Sequence, residues 1–120
     1  MYLLTNEQPL FVIPSLAMYF NEKGATILLL LHKNLQEEGQ SFEGQCWYCQ
    51  SYEDWRTQLP FLRKSAIKYQ LKKLEALGIV HATDRFNKFA VDRTKWYRID
   101  YDRLEAMTGF SAEILDGYLT

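Results

Sequence analysis

The strongest constraint on this chain is the run from Ser51 to Gly78, where two helical patterns flank a proline and end at a glycine. Ser51 with Asp54 three residues on makes a capping-box start, in which each side chain takes a backbone N–H that the first turn leaves unpaired. The helix it opens runs to about Gln58, because Pro60 keeps the residue before it out of the helical region. A second helix is predicted over about Lys64 to Leu77. Ile67, Leu71, Leu74 and Leu77 recur at spacings of four and three, which gathers them on one side of a helix. Gly78 then offers the conformation on which helices commonly stop.

A hairpin pattern follows. Ile79–Thr83 and Thr94–Tyr101 read as strands, the second with Tyr97, Ile99 and Tyr101 on one face and Trp96, Arg98 and Asp100 on the other. Helix, tight turn, helix, glycine stop and hairpin is the order of a winged helix-turn-helix. The expected fold is therefore mainly α with a small β-sheet (α+β), of that type. Between the strands, 84–93 is a ten-residue loop, longer than the roughly 2–5 residues of most hairpins, and loops of that length are often functional.

Upstream, Pro9–Ile13 reads as an edge strand and Ser15–Phe20 as a turn or two of helix. Lys23–Glu38 is the longest helix, ended by Gly39. Gln40–Gln45 reads as a polar loop, and Gln45–Gln50, with Trp47 and Tyr48, as a strand that joins the hairpin as a third. After Asp102 the pattern is helical in two pieces broken near Gly109, a tail that either packs on the domain or mediates dimers. The expected division is an arm over 1–22, a winged domain over 23–104 and a tail over 105–120. Ile27–Leu31 is apolar on every side, which fits either a buried central helix or one with a second partner face, as in a homodimer. Trp55, Phe61, Ile67, Leu71, Leu74 and Tyr97 are the expected core beneath the second helix.

The net charge of −1 would argue against a polyanionic partner, but the distribution reverses the argument. Residues 61–98 carry ten basic and three acidic side chains, a net +7, while the rest carries four and twelve, a net −8. A positive module inside an acidic body sets up a local field that the total conceals. Lys64, Lys68, Lys72 and Lys73 lie opposite the apolar stripe and suit phosphates; Ser65, Lys68 and Tyr69 lie near the helix start, where a helix in the major groove reaches base edges. In the loop, Arg85, Asn87, Lys88 and Arg93 suit a phosphate backbone or a minor groove. The same face also fits a plain solvated helix surface. Phe86 and Phe89 either fold back onto the hairpin or contact a partner.

Other chemistry is thinly supported. Cys46 and Cys49 form a Cys-x-x-Cys, but zinc takes four ligands and the chain has only His32 and His81 to add. On a strand, a spacing of three points the thiols to opposite faces. They read as packing thiols, and both histidines as structural. No metal, cofactor or enzymatic activity is expected: there is no Ser/His/Asp grouping, no phosphate-cradling glycine loop and no convincing carboxylate pair. The apolar run Ala25–Leu31 is far short of the ~20 residues that span a bilayer. With no export signal apparent and two cysteines, the expected setting is cytoplasmic and away from membranes.

One resemblance sharpens the reading. The aromatic strand into Ser51-Tyr52-Glu53-Asp54-Trp55, then Pro60-Phe61-Leu62, Ile67, Leu71, Leu74-Glu75 and Leu77-Gly78-Ile79, and above all Asn87-Lys88 with Asp92-Arg93-Thr94-Lys95-Trp96-Tyr97-Arg98-Ile99-Asp100-Tyr101, are similar to the amino-terminal winged-helix domain of bacterial, phage and plasmid replication proteins, the DnaD-like initiators among them. The likeness covers roughly 27–104. It departs at Arg63, where such proteins carry a small polar residue, and at Lys68 and Tyr69, where they often carry arginines. The resemblance implies a module that binds double-stranded DNA in replication initiation, with other replication proteins as partners. Competing readings are a transcriptional regulator, a protein-interaction or dimerisation module, and a thiol-sensing regulator using Cys46 and Cys49.

Overall fold

The computed structural model describes residues 13–87 and 94–119 in full, together with the backbone of 2–5 and 8–11. Two short strands, β1 (Tyr2–Thr5) and β2 (Gln8–Phe11), pair antiparallel with each other and form a sheet of their own. The single edge strand expected at Pro9–Ile13 is thus half of a hairpin.

Helix α1 (Pro14–Glu38) is two helical pieces joined at Asn21, whose backbone is left-handed (φ 59°). Pro14 opens the first piece, where a missing N–H costs nothing. Asn21 caps the second: its Oδ1 accepts the Gly24 N–H at 2.9 Å. The two pieces match the two segments read from sequence. Between Ala25 and Leu31 every residue is at most 5 % exposed. Leu28–Leu31 therefore serves as a central core helix, and no apolar face remains on it for a second copy.

The segment expected as a polar loop is a strand. β3 (Gln40–Phe42) pairs with β4 (Gln45–Gln50) through Glu43 and Gly44, both at positive φ (54° and 78°), as a two-residue hairpin turn needs. β3 is an exposed edge strand, where polar side chains are normal, and that polarity hid it. β4 pairs in turn with β6 (Lys95–Ile99), and β6 pairs with β5 (Val80–Thr83), so the antiparallel sheet runs β3-β4-β6-β5. The expected third strand at Trp47–Tyr48 is present, with Tyr48 opposite Tyr97.

Helix α2 (Tyr52–Gln58) starts on the capping box read from Ser51 and Asp54, with both reciprocal hydrogen bonds formed. Helix α3 (Lys64–Ala76) buries Ile67, Gln70, Leu71 and Leu74. Leu77, expected on that stripe, caps the helix and is half-buried. Gly78 (φ 78°) then turns the chain so that the Ile79 N–H reaches the Leu74 carbonyl at 3.1 Å. Phe61 is not core: it is 46 % exposed, because Leu59 and Leu62 take the inward positions of the turn between the helices.

The inner face of the sheet carries Val80, Tyr97 and Ile99 against α1, α2 and α3, with Trp55 meeting Tyr97 edge-on at 5.6 Å. The second hairpin strand ends sooner than expected, since Asp100 caps α4 (Tyr101–Thr108) by accepting the Arg103 N–H. Gly109 ends that helix at φ 82°, and α5 (Ala112–Gly117) follows. The tail packs on the domain. Leu104 and Leu115 are fully buried, and the buried His32 ring lies 2.7 Å from the Tyr101 hydroxyl and 2.6 Å from Asp116 Oδ1. Asp116 accepts from Nε2 while Nδ1 shares a hydrogen bond with the Tyr101 hydroxyl, the structural role expected of His32.

Gly39 closes α1 where β4 crosses it, and a Cβ there would run into the Leu35 carbonyl oxygen and Cys46 Sγ. Gly39→Ala is expected to destabilise the protein by about 1–3 kcal/mol in urea unfolding, the range of overpacking. Burial pushes the Tyr97 and Tyr101 phenols well above their ordinary range. Between the unfolded value of about 10 and the raised folded values, the unfolded chain holds fewer protons, so stability falls as pH rises. Spectrophotometric titration is expected to show two tyrosines ionising only with alkaline unfolding.

Candidate nucleic-acid interface

The stripe that buries Ile67, Leu71 and Leu74 fixes which face of α3 meets solvent. Lys64, Ser65, Lys68, Tyr69, Lys72 and Lys73 are all exposed, Tyr69 by 61 %, and Arg63 stands exposed at the helix start. The structure thus brings the six expected helix residues onto one surface. Their charges are not equally available. Lys64 is held in an ion pair with Glu53 of α2, which lowers the Glu53 carboxyl below its ordinary range. Lys68 Nζ sits over the Tyr52 ring at 5.3 Å, and Lys73 over Tyr69 at 5.5 Å. Lys68, Lys72 and Lys73 make no ion pair among the described residues.

Sequence reasoning missed one member of this surface. Lys95, at the start of β6, also lies against Tyr52, 5.6 Å from the ring centroid and 3.5 Å from its hydroxyl. Tyr52 therefore ties α2, α3 and β6 together through two ammonium groups. The signal was available: Lys95 shares the parity of Tyr97, which puts it on the helix side of the sheet, and it pairs with Gln50 just before α2.

The loop after β5 divides into two parts. Lys88, Phe89 and Arg93 lie outside the described residues. Arg85 and Asn87 are described, and both are engaged within the protein. Arg85 forms an ion pair with Glu43 at 3.0 Å and lies over the Phe86 and Trp47 rings, at 4.6 and 5.4 Å. Asn87 donates from Nδ2 to the Thr94 carbonyl at 2.8 Å, and its Oδ1 accepts the Trp96 indole N–H at 3.0 Å. Its amide closes the base of the hairpin. Phe86 folds back: it stacks on Phe42 at 4.7 Å and meets Trp47 edge-on at 5.2 Å.

The two thiols take opposite sides of β4, as strand parity requires. Cys46 Sγ donates to the Leu35 carbonyl at 3.7 Å, and burial raises its pKa, the reverse of what a reactive thiolate needs. Among the described residues no cluster of three or more His, Cys, Asp or Glu side chains is placed to hold a metal, and no helix is long and apolar enough to cross a membrane.

Compared with protein-family models, with curated proteins and with solved structures, the chain matches none.

The Asn87 clamp makes a direct prediction. Asn87→Ala leaves the Trp96 indole N–H without its acceptor, and the cost is expected to be about 1–3 kcal/mol. Amide hydrogen exchange should show the loss of protection concentrated at the β5–β6 end near Thr83 and Trp96.

Proposed function

We propose that this chain is a winged helix-turn-helix module that binds double-stranded DNA. In this reading α2 and α3 are the helix-turn-helix, β5 and β6 with the loop between them are the wing, and α3 enters the major groove. The observation that carries it is the outward face of α3. Lys68, Lys72 and Lys73 stand exposed without ion pairs among the described residues, on a helix whose opposite face is locked into the core. Lys95 extends that positive surface onto the sheet. Lysines so arranged suit phosphates, while Ser65, Lys68 and Tyr69 near the helix start suit base edges. Lys88 and Arg93, outside the described residues, are assigned to the wing contact from the sequence alone. The role in replication initiation rests on the sequence resemblance, as do other replication proteins as partners; a homodimer on two half-sites and a role in transcription are compatible with the same surface.

A second reading, a module for protein assembly, draws on Met18 and Tyr19, 87 % and 53 % exposed on the first piece of α1. The two readings separate on charge. Fluorescence anisotropy with a random duplex, followed across salt, is expected to give a log–log slope of about −0.9 per phosphate neutralised. Lys68→Ala with Lys72→Ala is expected to flatten that slope by up to ~2. Glu at both positions should abolish duplex binding while leaving self-association unchanged. No binding of the unaltered protein at low salt would transfer the assignment to the assembly module.

A further inference from the structure

The side of the sheet facing away from the helices carries a second cluster that the α3 surface does not use. Strand parity puts Trp47, Trp96, Arg98, His81 and Thr83 on that outer side, and His81 is the direct cross-strand partner of Arg98. Phe42 and Phe86 close over the two tryptophans, with Phe42 meeting Trp96 at 5.0 Å. Trp47 is left 3 % exposed. Beside this cover lies a cleft of about 260 Å³, lined by His81, Thr83, Arg85, Arg98, Gln45 and Glu43 among others.

We propose that this cleft is a phosphate-binding pocket in which Arg98 and Arg85 are the principal donors. Both guanidinium groups lie over the one Trp47 ring, Arg85 at 5.4 Å and Arg98 at 5.6 Å. A contact with the ring holds each guanidinium beside the cleft without using its N–H donors, so the donors are positioned before any ligand arrives. Arg98 makes no ion pair among the described residues. Arg85 spends part of its donor set on Glu43, whose Oε1 accepts from Nε and lies 3.0 Å from one terminal nitrogen, and keeps the remaining N–H groups. The Thr83 hydroxyl accepts the Arg85 backbone N–H at 3.2 Å and still has its own proton to donate. His81 forms a wall, with its Nε2 turned towards Asp100 Oδ2 3.7 Å away.

The ligand class follows from this geometry. Two guanidinium groups reach the cleft from different parts of the chain, β6 and the loop after β5. A carboxylate offers two coplanar oxygens, which match the fork of one guanidinium best. A tetrahedral phosphate has oxygens for both. The volume also exceeds what a lone carboxylate fills. Two sources supply this chemistry: a phosphodiester of a nucleic-acid strand crossing the sheet, or a free phosphate ester. The pocket lies across the sheet from the layer that holds α3, so it does not depend on α3 contacting DNA.

The test is NMR titration of the ¹⁵N-labelled full chain at constant ionic strength with inorganic phosphate, with acetate, and with a single-stranded oligonucleotide. Phosphate is expected to shift the Arg85 and Arg98 side-chain N–H signals and the Trp47 indole saturably, about tenfold more tightly than acetate. Arg98→Gln should weaken phosphate binding by about tenfold, and Glu43→Gln, which frees Arg85 and removes a negative charge, should tighten it several-fold. Lys68→Glu with Lys72→Glu should leave the phosphate shifts intact even where duplex binding is lost, which keeps this pocket separable from the α3 reading. Stronger response to the oligonucleotide than to phosphate assigns the strand as the source; equal response assigns a free ester. Absence of saturable shifts with either, equal response to acetate, or unchanged affinity in Arg98→Gln overturns the proposal.

Discussion

The structure depends on enclosing one helical segment on all sides. Ala25–Leu31 has no polar face to leave in water, and each buried leucine or isoleucine contributes roughly 1.5–3 kcal/mol only when it is fully covered. Coverage on every side demands several partners. The sheet's inner face supplies Val80, Tyr97 and Ile99, α3 supplies Ile67, Leu71 and Leu74, and the tail supplies Leu104 and Leu115. The tail is therefore a wall of the core rather than an appendage, and the bonds of His32 to Tyr101 and Asp116 hold that wall to the helix it covers. The rotation of α3 follows from the same demand. Because its leucines must face α1, its lysines must face solvent.

A second, smaller apolar cluster governs the other side of the sheet. Phe42, Trp47, Phe86 and Trp96 gather on the side of the sheet away from α1, α2 and α3. This arrangement fixes the first part of the loop after β5. Phe86 is an anchor, Asn87 is spent on Trp96 and Thr94, and Arg85 is laid across Trp47. An asparagine that composition alone would send to a ligand is thereby built into the hairpin, and Arg85 is held in position by Glu43 and Trp47. What distinguishes Lys68 and Lys72 from them is that, among the described residues, they form no ion pair or side-chain hydrogen bond, Lys68 only meeting the Tyr52 ring.

Much of this was legible because the local signals agreed with the packing. The capping box at Ser51, the stop at Gly78, the stripe on α3 and the break near Gly109 each rest on short-range chemistry, and each appears in the structure. The misses share a cause: tertiary partners decided them. β3 is polar because it is an edge strand, and only its pairing with β4 marks it as a strand. Phe61 is apolar yet exposed, because Leu59 and Leu62 fill the space beneath the turn. Asn87 reads as a polar loop residue until the Trp96 indole is placed against it. Of the candidate interface, the α3 face followed from periodicity, whereas Lys95 needed the register of β4 against β6.

The distribution of charge now has a structural meaning. The chain's total is −1, yet among the described residues of 61–98 the positive side chains fall on two layers that the sheet keeps apart. On the helix side, Lys68 and Lys95 both contact Tyr52, so a single ring meets two ammonium groups. On the outer side, Arg85 and Arg98 share Trp47 in the same way. In each case an aromatic ring with a negative face offsets part of the cost of holding like charges together. Like charges so gathered raise the local potential, and an anion arriving there relieves repulsion already present in the fold. Two such ring-centred pairs, one on each side of a four-stranded sheet, make the positive potential a consequence of tertiary structure rather than of composition.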